Sequence, residues 1–328
     1  MTKASAATGQ ESPNPFVFLL GSPRSGTTLL KRMVNAHPAI AITRETHWIT
    51  RFYQRGQGIA PDGSVEPELI PLLFEYHRFP QMKSKQERLE AILQEQSPLS
   101  YARFVSCIFD RYGERKGKQL VGDKTPNYVR FIYLLHELWP KARFVHIVRD
   151  GRDVCLSMAK WRMVHAAAGS FDTWQDDPVL TTAFWWKALV QLGREDGAKL
   201  GAELYRELPY HALVEHPEAE CRSLCSFLGV AYDEAMLHYN QGKRVEQGGL
   251  SANAAWLPPT TGLRDWRDQM PVGDVELFEA AAGDLLEALG LERHHATPSA
   301  EACARAARVR EAFSDQALKR KWRLPRLW

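Results

Sequence analysis

The stretch FVFLLGSPRSGTTLLKRMV, Phe16–Val34, constrains this chain more than any other. Phe16–Leu20 is an apolar run closed by Pro15 and Gly21, which suits a buried parallel strand. Thr28–Asn35 predicts a helix with Leu29, Leu30, Met33 and Val34 on its apolar face, ended by His37-Pro38. Between strand and helix lies GSPRSGTT. A glycine-bearing turn that leads into a helix N-terminus is an anion site, because amide N–H groups point inward and the helix dipole adds partial positive charge. Gly21 and Gly26 permit close backbone approach, and Ser25, Thr27 and Thr28 add hydroxyl donors. The outline is that of the phosphate-cradling loop G-x-x-x-x-G-K-[ST], with Thr27 at the lysine position and Arg24 three residues earlier.

A second strand–loop–helix unit is ARFVHIVRDGRDVCLSMAKW, Ala142–Trp161. Arg149 stands at the C-terminal end of its strand, where open α/β sheets bind ligands, and Ser157 on the following helix can present a hydroxyl to the same anion. Asp150, Gly151 and Arg152 make the turn, and Asp153 favours the helix start. The plainer reading is two capping ion pairs, Arg149–Asp150 and Arg152–Asp153. His146, inside the apolar strand, reads as a core histidine. This strand has Arg149 where a nucleoside triphosphatase needs a metal-binding aspartate, and nothing else resembles a magnesium site. Two anion sites on adjacent strand ends point to one ligand with two phosphate groups.

The rest of the chain predicts an α/β fold: a P-loop-like parallel sheet flanked by helices. Residues 1–14 read as a disordered tail and 15–295 as a single domain. Residues 51–118 read as a mostly helical insertion covering the cleft, and 296–328 as a helical and basic tail. Strands are expected at Leu120–Pro126, Ala142–Val148 and within 204–214. Helices are expected at Tyr128–Trp139, 178–201, Pro217–Leu228 and Val275–Leu289, and an irregular loop at 240–263. A net charge of +3 is too mild to argue for nucleic acid or a membrane surface, but it is compatible with a local basic pocket. No apolar run spans a membrane and no leader is evident, so a cytoplasmic location is expected. The five cysteines, Cys107, Cys155, Cys221, Cys225 and Cys303, read as reduced thiols, with Cys221 and Cys225 packed rather than metal-binding.

Together FLLGSPRSGTTLL and FVHIVRDGRDVCLSM resemble the two cofactor motifs of the sulfotransferases that use 3′-phosphoadenosine 5′-phosphosulfate (PAPS). The flavour is that of the bacterial branch that also resembles protein-tyrosine sulfotransferases: PRSGTT, a His-Pro after the helix, and a glutamate shortly beyond. The resemblance covers Phe16–Glu45 and Leu120–Met163, extends weakly through Leu204–Gly229 and Gly248–Leu291, and leaves 51–118 without a counterpart. It implies that Arg24, Ser25, Gly26, Thr27 and Thr28 hold the 5′-phosphosulfate, with Arg24 replacing the lysine of most cytosolic relatives. It implies that Arg149 and Ser157 hold the 3′-phosphate and that Lys124 in GDKTP steadies the transferring group. Glu45 in AITRETHW matches the general base, with His47 as its competitor. Ser251 in GGLS matches a serine near the sulfuryl group. Tyr210 takes the place of a tyrosine near the adenine, although the familiar RYEDL is here PYHAL. Arg264 or Arg267 would close over the 3′-phosphate, with Trp266 equally suited to the core. The plain alternatives are a Lys124–Asp123 pair and a solvated or Arg44-paired Glu45. The implied reaction is sulfuryl transfer from PAPS, without a metal, to a hydroxyl or phenol; a small-molecule acceptor is expected because nothing marks a secretory enzyme, with sulfation of a peptide tyrosine as the alternative. A homodimer is compatible with it. Competing readings are a P-loop kinase or nucleotidase using ATP and a catalytically silent nucleotide-binding protein.

Overall fold

The computed structural model describes residues 14–96, 98–241, 258–259, 262 and 264–320. Five parallel strands form one sheet in the order β2-β3-β1-β4-β5: β1 Val17–Leu20, β2 Ile40–Ile42, β3 Leu120–Lys124, β4 Arg143–Val148 and β5 Tyr205–Pro209. Because all five run the same way, every strand delivers its C-terminal residue to one edge of the sheet. Glu45, Lys124, the glycine loop and Arg149 all follow those ends.

Side chains alternate across the sheet and build a core on each face. Val17, Leu19, Val145, Ile147 and Leu208 face α1 (Thr27–Ala36) and α10 (Pro217–Leu228). Phe18, Leu20, Phe144 and Val148 face the larger core, where α5 (Tyr101–Glu114) and α8 (Pro178–Leu200) contribute Phe109 and Trp186. Gly122 sits mid-sheet because a Cβ there would meet the Val17 carbonyl oxygen and lie 2.9 Å from Ile42 Cδ1.

The structure refines several expectations. β2 was not foreseen: it is a three-residue edge strand, IAI, too short to leave a periodic signal. It pairs with β3, and Lys118 Nζ donates to the carbonyls of Asn35, His37 and Ile40 at 2.6, 2.9 and 2.9 Å, joining the end of α1 to the start of β2. The helix expected over Tyr128–Trp139 divides into a 3-10 turn, Pro126–Phe131, and α6, Ile132–Leu138, because Phe131 leaves the helical region at φ −127°. The exit from β5 is a helix, α9 (Tyr210–Glu215), not a loop. Segment 51–118 holds the end of α2 (Trp48–Arg55), then α3 (Leu69–Glu75), α4 (Gln86–Glu95) and α5. Two helices near the C-terminus, Val272–Ala288 and Ala300–Lys319, pack against α8. Among the described residues no helix is long and apolar enough to cross a membrane.

Candidate active site

Arg24 adopts a left-handed backbone, φ +76°, uncommon for a non-glycine residue. Its side chain reaches α7 (Gly151–Ala159), where Nε donates to Ser157 Oγ at 2.8 Å, and the guanidinium lies 5.4 Å from the centre of the Trp161 ring. Ser157 is buried, and while accepting from Arg24 it keeps its own proton to donate. Burial lowers the Arg24 pKa to about 10, helped by the charges of Arg264 and Arg149. Three guanidinium groups therefore crowd one region, an arrangement that fits an anionic ligand. In the loop itself, the Ser25 hydroxyl lies 3.2 Å from Ser22 Oγ, and Thr27 and Thr28 open α1. Gly26, φ +93°, has no room for a Cβ, which would strike the Tyr210 ring.

Tyr210 also lies under Arg149, whose guanidinium is 4.3 Å from the ring centre. Arg149 is 7% exposed and pairs with Asp153 Oδ2 through Nε and Nη2, at 3.3 and 3.0 Å. The capping pairs are thus crossed relative to the plain sequence reading: Arg149 joins Asp153, and Arg152 joins Asp150 at 2.7 Å. Asp150 is the N-cap of α7 and accepts the Arg152 amide at 2.9 Å, which turns its carboxylate toward Arg152 and leaves Arg149 to Asp153. Arg149, Tyr210, Arg264 and Trp266 line a cavity of ≈ 430 Å³. Burial and the nearby Arg149 charge lower the Arg264 pKa. Trp266 is buried, and Arg264 and Arg267 both line the cavity, Arg264 within reach of the Arg149 charge and Arg267 exposed and paired with Asp265 and Glu292.

The third group lies at the ends of β2 and β3. Lys124 is 6% exposed and donates to Glu45 Oε1 at 2.8 Å, which replaces both plain readings, Lys124–Asp123 and Glu45–Arg44. His47 Nε2 lies 3.3 Å from Glu45 Oε2. His47 itself turns left-handed, φ +53°, at the start of α2. Burial alone would raise the Glu45 pKa, but the His47 contact and the Lys124 ammonium outweigh it and hold the carboxyl well below the usual range. The segment is pinned to β3: Thr43 Oγ1 donates to Asp123 Oδ2 at 2.9 Å and the Thr46 amide to Thr125 Oγ1 at 3.0 Å.

Sequence reasoning missed several residues of this region. Arg78 Nη1 lies 3.4 Å from both Glu45 Oε2 and the Glu45 carbonyl, and Gln81 Nε2 donates to that carbonyl at 3.4 Å. Both come from segment 51–118, which follows no recognisable pattern. Lys31, one turn into α1, has its pKa lowered to about 8 by burial and the charges of Lys124 and Arg44. Its position four residues past Thr27 was the available signal. His146 is fully buried and bonds Tyr205 OH through Nδ1 at 2.7 Å, a core histidine. Cys221 and Cys225 are buried in the α10 core, with the Cys221 thiol pushed up to about 12 by burial. Ser251 lies outside the described residues, as do 1–13 and 321–328 of the two expected tails and most of the 240–263 loop. Among the described residues no His/Cys/Asp/Glu group has a metal-binding arrangement.

A model of the sulfotransferase family matches residues 15–234. Protein-tyrosine sulfotransferase A of Caenorhabditis elegans is 25% identical over 256 residues, which cover 77% of this chain and 60% of the worm protein. Protein-tyrosine sulfotransferase 2 of Gallus gallus is 26% identical over 295 residues, 87% of this chain and 71% of its own length. The chain thus spans 60% of the worm relative's length and 53% of that of the Drosophila melanogaster protein-tyrosine sulfotransferase. Among solved structures, the sulfotransferase domain from the Synechococcus PCC 7002 olefin synthase superposes with a TM-score of 0.60 at 23% identity, covering 89% of this chain and 98% of that domain. The sulfotransferase domain from the curacin biosynthetic pathway gives 0.53 at 19% identity, covering 96% of this chain and all of that domain, 100%. These two likenesses are of fold.

Proposed function

Because the chain belongs to the sulfotransferase family, we propose that it transfers the sulfuryl group of PAPS to a hydroxyl or phenol of a small-molecule acceptor. The observation that carries this reading is the 2.8 Å bond from Arg24 to Ser157, which joins the glycine loop to the Arg149 motif. Two anion sites that are one continuous site suit a nucleotide with a 5′-phosphosulfate at one end and a 3′-phosphate at the other. Arg149 and Arg264 take the 3′-phosphate, Tyr210 lies beside the adenosine, and Arg24, Ser25, Gly26, Thr27 and Thr28 take the 5′ end.

Transfer is an in-line attack of the acceptor oxygen on sulfur. The new oxygen–sulfur bond forms, the bond from sulfur to the bridging oxygen breaks, and that electron pair leaves on the 5′-phosphate of the bisphosphate product. Positioning and electrostatics supply most of the catalysis. Arg24 and Lys124 meet the charge on the sulfuryl and leaving oxygens. Glu45 accepts the acceptor proton, with His47 beside it. A carboxylate held this far below its usual range is a weak base while Lys124 and His47 grip it. As Lys124 turns to the transferring group, Glu45 regains proton affinity at the moment a base is needed. Ser251 belongs to this proposal by sequence alone.

Arg78 and Gln81 contact Glu45 from segment 51–118, and the small acceptor is our reading of the space beside them. The curated relatives are named for protein tyrosine, which favours a tyrosyl phenol as the second reading. Labelled PAPS offered to small phenols, small alcohols and a tyrosyl peptide separates the two. Label on the peptide alone replaces the first reading with the second. Thermal stabilisation by Mg-ATP but not by adenosine 3′,5′-bisphosphate overturns both. Glu45→Ala is expected to abolish transfer while the bisphosphate still binds. Full activity in that variant moves the base to His47.

A further inference from the structure

Asp153 stands where two parts of the nucleotide pocket meet, and its residue type is a puzzle there. A carboxylate against the cation that holds a phosphate weakens that cation by charge alone. Its geometry explains its presence. The side chain is 15% exposed, and each oxygen has its own task. Oδ2 accepts from Arg149 Nε and Nη2, at 3.3 and 3.0 Å. Oδ1 accepts from the Trp266 backbone amide at 3.1 Å, 113 residues along the chain. Arg149 Nη2 in turn reaches the Arg264 carbonyl at 3.4 Å. Arg149, Asp153 and the 264–266 segment therefore form a closed ring of contacts on the cavity wall.

The ring restrains Arg149 in two directions. The Tyr210 ring supports the guanidinium face at 4.3 Å, and Asp153 holds one edge, leaving Nη1 outside the pair. The same carboxylate holds the amide two residues after Arg264, so the two cations keep a fixed spacing. Groups ordered before a ligand arrives need not be ordered at the ligand's expense, and affinity gains by that difference.

We propose that Asp153 is a positioning residue for the 3′-phosphate. It fixes Arg149 and the Arg264 segment against each other, and so sets the preference for a nucleotide phosphorylated at the 3′ position over one that is not. This deepens the PAPS reading above and rests on it. This role holds where the ordering outweighs the carboxylate's own repulsion: Asp153 bonds the edge of Arg149 opposite Nη1, and Arg24 and Arg264 add positive charge to the same region.

Calorimetric titration of the full chain with adenosine 3′,5′-bisphosphate and with adenosine 5′-monophosphate tests this, since the ratio of the two dissociation constants is insensitive to general loss of folded protein. Asp153→Ala is expected to cut the wild-type preference for the bisphosphate about 10-fold, while monophosphate affinity stays within about 2-fold. Asp153→Asn keeps an oxygen for the Trp266 amide but loses the charge on Arg149, and is expected to fall between, about 3-fold down. A preference that is unchanged or larger in Asp153→Ala overturns the role of Asp153. Equal losses for both nucleotides overturn it as well, because they mark a structural residue. A wild-type protein with no preference for the bisphosphate overturns the PAPS reading, and this inference with it.

Discussion

Arg24 shows how one residue can carry both strain and charge. A left-handed backbone costs a non-glycine residue about 1–2 kcal/mol, and Arg24 accepts it at φ +76° to bring its guanidinium to Ser157. Arg24→Ala keeps the strain and loses the cation, whereas Arg24→Gly loses both. Both variants are expected to lose transfer, with Arg24→Gly about 1 kcal/mol more stable than Arg24→Ala in urea melts. Asp123 gives a residue-scale prediction in pH. Burial pushes its carboxyl up from 3.8 to about 6 against the hydroxyls of Thr125, Thr43 and Thr46. The folded protein thus binds this proton more tightly than the unfolded chain, and stability falls as pH rises from 3.8 to about 6. The loss approaches roughly 3 kcal/mol. In Asp123→Asn that part of the slope should vanish, read as the difference between wild-type and variant unfolding free energies across the window.

At the scale of elements, what could be read from the chain depended on local pattern. The glycine loop, β4 and α8 announce themselves through an apolar run, a turn residue or a helical period. Pro217–Leu228 is bounded by its own proline and glycine, and the helix ends where those residues stand. β2 has three residues and is tied to α1 by Lys118, a contact that no local rule encodes. The site divides the same way. Arg24, Lys124 and Arg149 are legible because each stands at or just past an expected strand end in a recognisable motif, and Glu45 through the family resemblance alone, whereas Arg78 and Gln81 reach Glu45 from a segment with no code. The sheet itself offers a test. A side chain at Gly122 would press on the Val17 carbonyl and on Ile42 between three paired strands. Gly122→Ala is therefore expected to lower stability by about 2–3 kcal/mol, visible as a lower urea midpoint at unchanged slope.

At the scale of the whole molecule, one buried cation ties the C-terminal helices to the nucleotide motif. Arg152 is fully buried, bonds Glu279 at 2.6 Å and Asp150 at 2.7 Å, and stacks 3.6 Å from the Trp266 ring centre. Glu279 also accepts the amides of His294 and His295, at 2.9 and 2.7 Å. Removing one partner of a buried ion pair strands the other, at a cost of about 3–5 kcal/mol. Glu279→Ala should show that loss in thermal unfolding. It should also weaken bisphosphate binding, because Arg152 packs on Trp266, which lines the Arg149 cavity.

Among the described residues, the opposite rim of the parallel sheet carries none of the candidate site residues. Gly201–Glu203, the exposed turn between α8 and β5, lies on that rim, and a Cβ at Gly201 would meet open space. That makes it a natural handle. A surface tether, a fluorophore tag or a grafted peptide of about ten residues placed at Ala202 should leave bisphosphate affinity unaltered. The protein could then be anchored to a bead by its back, with the Arg149 cavity facing the stream.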